Sequence, residues 1–237
     1  HDSTGDSADV HLDSGGTYWQ GQVLFLDAAG DQNADDTVQV RRVNDDDEVG
    51  NLVSEITVGA SDNATIDTDD LDGDYVVVND NDVLSFSDGD SQSADATAIS
   101  AVNSAGNASD FSFEVAVQTL SAAFDDDDLP VREGDTATIE MDSNRGTYAV
   151  NVSAEGLDEE DLADIFDQVE DGNDVINASA GPYDSTTDDD GDESIQINTS
   201  SSGTIEANFT IFDEVGDYMF DFEVVDTGVT ASASVTV

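Results

Sequence analysis

Leu71-Asp-Gly-Asp-Tyr-Val-Val-Val78 decides how this chain is read. An Asp-Gly-Asp turn feeds a tyrosine and then three β-branched residues, which favour a pleated strand. Val215-Gly-Asp-Tyr218 does the same ahead of Met219-Phe-Asp-Phe222. Short apolar runs lie around the first phrase: Thr17-Tyr-Trp-Gln-Gly-Gln-Val-Leu-Phe-Leu26, Thr37–Val43, Leu52–Val58, Ala64–Asp67, Val83–Phe86 and Phe111–Val117. Each is bounded by Asp, Asn, Gly or Ser, the pattern of a small antiparallel β-sandwich. His1–Val10 reads as a lead-in or first edge strand. Ser87–Asp110 reads as a long polar loop holding one short strand, Ala96–Val102.

A second set of strands is expected at Leu120–Phe124, Thr136–Met141, Thr147–Ala154, Ser194–Asn198, Thr204–Phe212, Tyr218–Val225 and Ala231–Val237. One helix interrupts them. Asp158 suits the N-cap, and Glu159, Glu160 and Asp161 suit the positive end of the helix dipole. Leu162, Ile165, Phe166 and Val169 then form one apolar stripe. Gly-Asp-Tyr leading into a strand resembles the tyrosine corner of immunoglobulin-like (Ig-like) sandwiches, where the hydroxyl bonds back to nearby backbone. The expected fold class is therefore all-β. It comprises two tandem Ig-like β-sandwich domains, residues 1–120 and 121–237, with a short helix near 158–169 in the second. The chain has no cysteine, so no disulfide pins these sheets.

The 237 residues carry 57 Asp and Glu against four arginines (Arg41, Arg42, Arg132, Arg145) and no lysine, a formal charge of −53. That balance excludes nucleic-acid binding by phosphate neutralisation and adhesion to anionic lipid. Thiolate chemistry and Cys-ligated metals are excluded with the missing cysteines. No apolar run approaches a membrane span. Thirteen of the acids are Glu, leaving 57 − 13 = 44 Asp. Spread over roughly 10,000 Å² of surface, the carboxylates sit roughly 13 Å apart. Each neighbouring pair then repels by about 0.3 kcal/mol in water. Summed at low salt, this approaches a typical net stability of about 5–15 kcal/mol. Such an acid excess without lysine points to a halophilic, secreted protein.

Catalytic machinery is sparse. A Ser-His-Asp site would need His1 or His11, both in the lead-in, and among so many acids a paired carboxylate has no specificity. The chain is read as not an enzyme. Asp31-Gln-Asn33-Ala-Asp35-Asp36 offers oxygen ligands at alternating positions, suited to Ca²⁺. It departs from an EF-hand at its sixth position (Asp36) and its twelfth (Arg42). Asp188, Asp190 and Asp192 form a weaker candidate, as do Asp67, Asp69 and Asp72. Six sequons fit N-glycosylation: Asn63, Asn107, Asn151, Asn177, Asn198 and Asn208. Asn63, Asn107 and Asn177 are preferred. Asn151 and Asn208 fall in expected strands and serve only if they face outward. Trp19, Tyr18 and Phe25 are read as core residues.

Gly16-Thr-Tyr-Trp-Gln-Gly-Gln-Val-Leu-Phe-Leu26 and Leu71–Val78 resemble the N-terminal region of haloarchaeal S-layer (major cell surface) glycoproteins. Asp142-Ser-Asn-Arg-Gly-Thr-Tyr148, Gly156–Leu162 and Asp226–Val235 are similar to phrases in the same proteins. The resemblance implies tandem sandwiches at the cell surface, N-linked glycans, Ca²⁺-dependent self-association in a lattice and a C-terminal membrane anchor. This chain ends at Val237 in a strand-like run without stalk or apolar tail, so it is expected to be part of a longer protein, with no direct membrane contact of its own. The alternative reading is an adhesin or carbohydrate-binding module of a secreted surface protein.

The charge arithmetic sets the first prediction. Because the Debye length shrinks from about 10 Å at 0.1 M salt to about 3 Å at 1 M, the denaturation midpoint is expected to rise steeply between those concentrations. Thermal melts followed by circular dichroism check this, and a midpoint flat in salt contradicts it.

Overall fold

The computed structural model describes residues 8–27, 37–59, 63–79, 82–86, 97–99, 108–125, 131, 135–166, 175–176, 194–209 and 216–237. It divides into two compact units, His1–Val117 and Gln118–Val237. The boundary falls before the 120/121 division expected from sequence, because Gln118 bonds to Ser143 and Arg145 of the second unit.

In the first unit a three-stranded sheet holds β1 (Val10–His11), β3 (Val23–Asp27) and β6 (Asn63–Asp67). A seven-stranded sheet runs β2 (Thr17–Trp19), β10 (Phe113–Ala116), β7 (Gly73–Asn79), β4 (Thr37–Val43) and β5 (Val49–Thr57), with β8 (Asp82–Ser85) on β7 and β9 (Thr97–Ile99) on β8. Leu24, Leu26, Ala64 and Ile66 of the small sheet share one core with Val38, Val40, Tyr75, Val77, Phe113 and Val115 of the large one. That shared core makes the unit a two-layer sandwich. On the other face of the large sheet, Val76, Val78, Val83 and Ala108 form a smaller cluster, with Ala108 on a 3₁₀ turn (Ala108–Phe111). Tyr75-Val-Val-Val78 is therefore buried on both faces, which explains its unbroken apolar run.

Two features depart from a purely antiparallel sandwich. β1 pairs parallel with β3, and β2 parallel with β10. The run Thr17–Leu26 is two strands in two sheets instead of one. The chain changes sheets at Gln20-Gly21, where Gly21 adopts φ +99°, a conformation that excludes most side chains. The buried Thr68 hydroxyl, bonded to the carbonyls of Trp19 (3.0 Å) and Gln22 (2.7 Å), locks the switch.

The second unit is one sheet folded on itself. β12 (Thr136–Ala154) and β14 (Ser194–Asn208) are long continuous strands, where sequence analysis expected two short strands each. Their register slips between Asp142 and Thr147. Before the slip, β12 pairs with β11 (Leu120–Phe124) on its other side, and after it with β15 (Asp217–Val224). β16 (Thr230–Thr236) extends the second part, and β13 (Val175–Ile176) lies beyond β14. Phe124, Ile139 and Met141 from the first part share a core with Val150, Val152, Phe220 and Phe222 from the second. α1 (Glu159–Phe166) adds Leu162, Ile165 and Phe166 to it. Asp158 caps α1 as expected: its carboxylate accepts from the Asp161 N–H (3.0 Å), and its own N–H donates to the Asp161 carboxylate (3.3 Å). Val169, the last residue of the expected stripe, lies outside the described residues.

The fold class is all-β: two tandem, Ig-like sandwich units with one short α-helix in the second. The tyrosine corner is formed at Tyr75, whose hydroxyl donates to the Asp72 carbonyl (3.1 Å) and accepts from the Asp72 N–H (2.9 Å). Tyr75→Phe is expected to cost about 1 kcal/mol by removing both bonds. Phe220→Ala, at the centre of the rings of Phe124, Phe166 and Phe209, is expected to cost about 3–5 kcal/mol. Denaturant titration in molar salt measures both.

Candidate functional site

The loops that carry the strongest cation candidates, Asp31, Asn33, Asp35 and Asp36 and then Asp188, Asp190 and Asp192, lie outside the described residues. The third set is described, and two of its members contribute to local turns. The Asp67 carboxylate accepts from the Asp69 N–H (3.0 Å), closing a turn. The Asp72 backbone serves the tyrosine corner, and its carbonyl also accepts from Arg42 Nη2 (2.6 Å). Among the described residues no three of His, Cys, Asp or Glu converge as a metal site would require.

Of the sequons, Asn107 and Asn177 lie outside the described residues. Asn63 opens β6, which forms an edge of its sheet. Asn151 alternates with the buried Val150 and Val152 and so faces outward from β12, flanked by Gln196 and Glu223. Asn208 also faces outward, between the buried Ala207 and Phe209. Asn198 is half-buried on β14, while Thr199 of its sequon points inward and is 4% exposed.

The exposed carboxylates follow a pattern that sequence alone did not show. In the ladders of the second unit, Asp142 faces Ser121 and Ser202, and Glu140 faces Ala123 and Thr204. Glu206 faces Thr138, Asp221 faces Ser153 and Ser232, and Glu223 faces Asn151 and Thr230. Asp217 accepts a bond from the hydroxyl of its partner Thr236 (2.6 Å). Among the described residues no acid there faces another acid across a strand pair, which spares the sheet its most direct like-charge contacts. Among the described residues the first unit has one exception, Glu114 opposite Asp74, and there Thr17 Oγ1 donates to Glu114 Oε2 (3.2 Å) from the other side. The pattern depends on register, which composition does not encode.

The arginines among the described residues, Arg41, Arg42 and Arg145, are committed to the fold. Arg145 grips Asp226 through two parallel bonds of 2.7 Å, with the two side chains only 16% and 23% exposed. Gln118, itself buried, accepts from Arg145 (3.4 Å) and Thr227 (3.0 Å), tying the start of the unit to the β12 bend and the β15–β16 turn. Arg41 donates to the Gln39 side chain (2.9 Å) and the Gly50 carbonyl (3.1 Å). Besides its bond to Asp72, Arg42 lies over the Tyr75 ring at 5.8 Å.

Of the three aromatics read as core, Tyr18 is buried, whereas Trp19 and Phe25 are half-buried. Phe25 meets the His11 ring edge-on at 4.9 Å. Tyr18 makes a second, unforeseen corner, donating to the His11 carbonyl (2.9 Å) and accepting from the Asp13 N–H (2.5 Å). Any Cβ at Gly16 would lie 2.7 Å from its hydroxyl, so the glycine is what admits the ring. Burial pushes the Tyr18 hydroxyl up from its ordinary value, and the Asp13 charge adds to the rise while the Asp13 backbone bond opposes it. Tyr148 Oη and Thr199 Oγ1 are buried at the β12 bend without a hydrogen bond of standard geometry. Burial raises the Tyr148 hydroxyl too, the nearby Ser143 and Thr199 hydroxyls working against it and the Asp142 charge with it.

No protein-family model matches this chain, and no curated protein matches it. Among solved structures it is similar to dimeric latent PorU from Porphyromonas gingivalis, with 15% identity, a TM-score of 0.28, and 97% of this chain covered but only 19% of that one. The FN1-FN3 domains of chicken CNTN1 give 7% identity, a TM-score of 0.34, and coverage of 98% and 68%. The C-terminal domain of the Streptococcus agalactiae AgI/II polypeptide BspA gives 9%, 0.33, and coverage of 91% and 83%. At these scores the fold rests on strand order and register, not on the likeness.

Raised tyrosine values set an alkaline limit. Above the ordinary value of 10.0, the unfolded chain releases these phenolic protons while the folded chain still holds them, so stability falls as pH rises. Unfolding midpoints are expected to hold level toward pH 10 from below and to drop beyond it. Replacing Tyr18 and Tyr148 by Phe is expected to flatten the drop, as pH-dependent melts will measure.

Proposed function

We propose that this chain is a structural part of a halophilic, secreted cell-surface glycoprotein, working as an element of an S-layer-type array. The observation that supports this reading most directly is the placement of its acids. In the second sandwich, among the described residues, they stand exposed on the outer face, and across each strand pair every one meets a hydroxyl, amide or alanine side chain and not another acid. Such faces act on neighbours and not on a small substrate in a cleft. Two copies bearing them repel until cations intervene, and Ca²⁺, with its demand for six to eight oxygens, joins carboxylates from two surfaces well. N-linked glycans on outward asparagines, Asn63 first among the described sequons, would leave both cores undisturbed.

The test is assembly. In about 2 M NaCl, where long-range repulsion is screened, the chain is mixed with millimolar Ca²⁺ and then with chelator, and is followed by light scattering and electron microscopy. Sheets or regular oligomers that appear with Ca²⁺ and dissolve with chelator are expected. A folded monomer indifferent to Ca²⁺ overturns cation-bridged assembly, and specific retention on a glycan array would then favour the adhesin or carbohydrate-module reading.

A further inference from the structure

We propose that β5 is a self-association edge, through which two copies of this chain pair antiparallel about a two-fold axis at Val53. Among the described residues β5 pairs with β4 alone and ends its sheet. Its nine residues hold a single acid, Glu55, in a chain where 57 of 237 are acidic. Arg41 and Arg42 lie on the adjacent strand, so the paired strands of the β4–β5 ribbon carry two positive charges against one negative, while the four acids of their turn, Asp45, Asp46, Asp47 and Glu48, lie at one end, away from Val53. Both guanidiniums are engaged within their own unit, by Gln39, Gly50, Asp72 and the Tyr75 ring. They therefore weaken the local field more than they offer a site for an acidic ligand. For a body of charge −53, the middle of such a strand pair lets a like copy approach at reduced electrostatic cost.

The ribbon also offers something to bury. Leu52 and Val53 are 46% and 44% exposed and adjacent in sequence. Val53 is the extra residue of a bulge, since Val40 pairs with Ser54 and Arg41 with Leu52. A second irregularity leaves Arg42 opposite Gly50 and Asn51. Such bulges keep an edge from templating open-ended pairing. They limit the contact to a short, closed one about Val53, in which Ser54–Thr57 of one copy lies along Val49–Leu52 of the other. Centred on Val53, the two-fold sets Leu52 of one copy against Ser54 of the other, and Asn51 against Glu55. No carboxylate then faces a carboxylate. The contact needs no divalent cation, so it goes beyond the cation-bridged array and can fail independently of it.

The whole chain is tested in chelator throughout. Sedimentation at about 0.1 M and about 2 M NaCl should show a monomer–dimer equilibrium that tightens as the Debye length falls. Val53→Glu, at an exposed position that leaves the cores intact, is expected to weaken the dimer more than tenfold with an unchanged circular dichroism spectrum. Because the natural chain has no cysteine, Val53→Cys gives a clean second readout. Directly opposed Cα atoms lie about 4.5–5.5 Å apart, within disulfide reach, so mild oxidation should yield a linked dimer. Met219→Cys, at a position 55% exposed in the other unit, should give no linked dimer under the same oxidation. A monomer at every salt and protein concentration overturns the proposal. So does a dimer that Val53→Glu leaves unchanged, or equal crosslinking at residues 53 and 219.

Discussion

Carboxylate repulsion is the constraint to which the rest of the structure answers. With 57 acids and four arginines, charge pairing cannot neutralise the surface, so geometry has to keep the charges apart. Strand register does much of this. In the second unit each acid in a ladder stands across from Ser, Thr, Asn or Ala, and Thr236 and Asp217 turn such a neighbour into a bond. The cores beneath are ordinary in character. Phe, Ile, Val and Leu are buried from both layers of each unit, and hydrophobic burial must outweigh whatever repulsion the solvent leaves unscreened.

Among the described residues, the scarce cations are placed where one guanidinium holds several elements. Arg145 shows this best. Its paired bonds to Asp226, with Gln118 and Thr227 alongside, join the first residue of the unit, the β12 bend and the β15–β16 turn. A planar guanidinium makes two parallel bonds to a carboxylate, which an ammonium cannot do, and lysine is the cation this chain lacks. Tyr148 and Thr199 lie at the same bend, their buried hydroxyls without hydrogen bonds of standard geometry, where β12 changes its pairing partner from β11 to β15. One long sheet folded over itself gains a continuous core across both layers, and the imperfect polar packing is confined to the fold line.

Much of this was legible in the sequence, and the misses have physical causes. β4 and β11 match their expected spans, and the Asp158 cap and the Leu162-Ile165-Phe166 stripe of α1 were plain because capping and period are local. Thr17–Leu26 reads as one strand until Gly21 turns it into another sheet. β12 and β14 read as broken because Asp142–Gly146 and Thr199–Gly203 look like turns, whereas a bulge carries them through the bend. Parallel pairing of β1 and β2 leaves no periodic trace. The spacing of acids across strands was invisible for a deeper reason: period two says which face a residue takes, and only register says what it faces.

An acidic surface at high salt separates two kinds of contact between copies. Where acids stand in rows, screening removes the long-range cost of approach but not the need of each carboxylate for water or a cation at close range, so these faces can meet only through bound ions. Where acids are nearly absent, as along β5, nothing has to be bridged, and the contact is limited by the small apolar area of Leu52 and Val53 and by the length of free strand. Raising monovalent salt strengthens apolar contact and screens repulsion together, while it competes for the carboxylates that a divalent ion would join. The two contacts therefore respond oppositely to the same change in solvent. If both proposed contacts form, a closed pair would hold in strong brine and extend only where calcium is present.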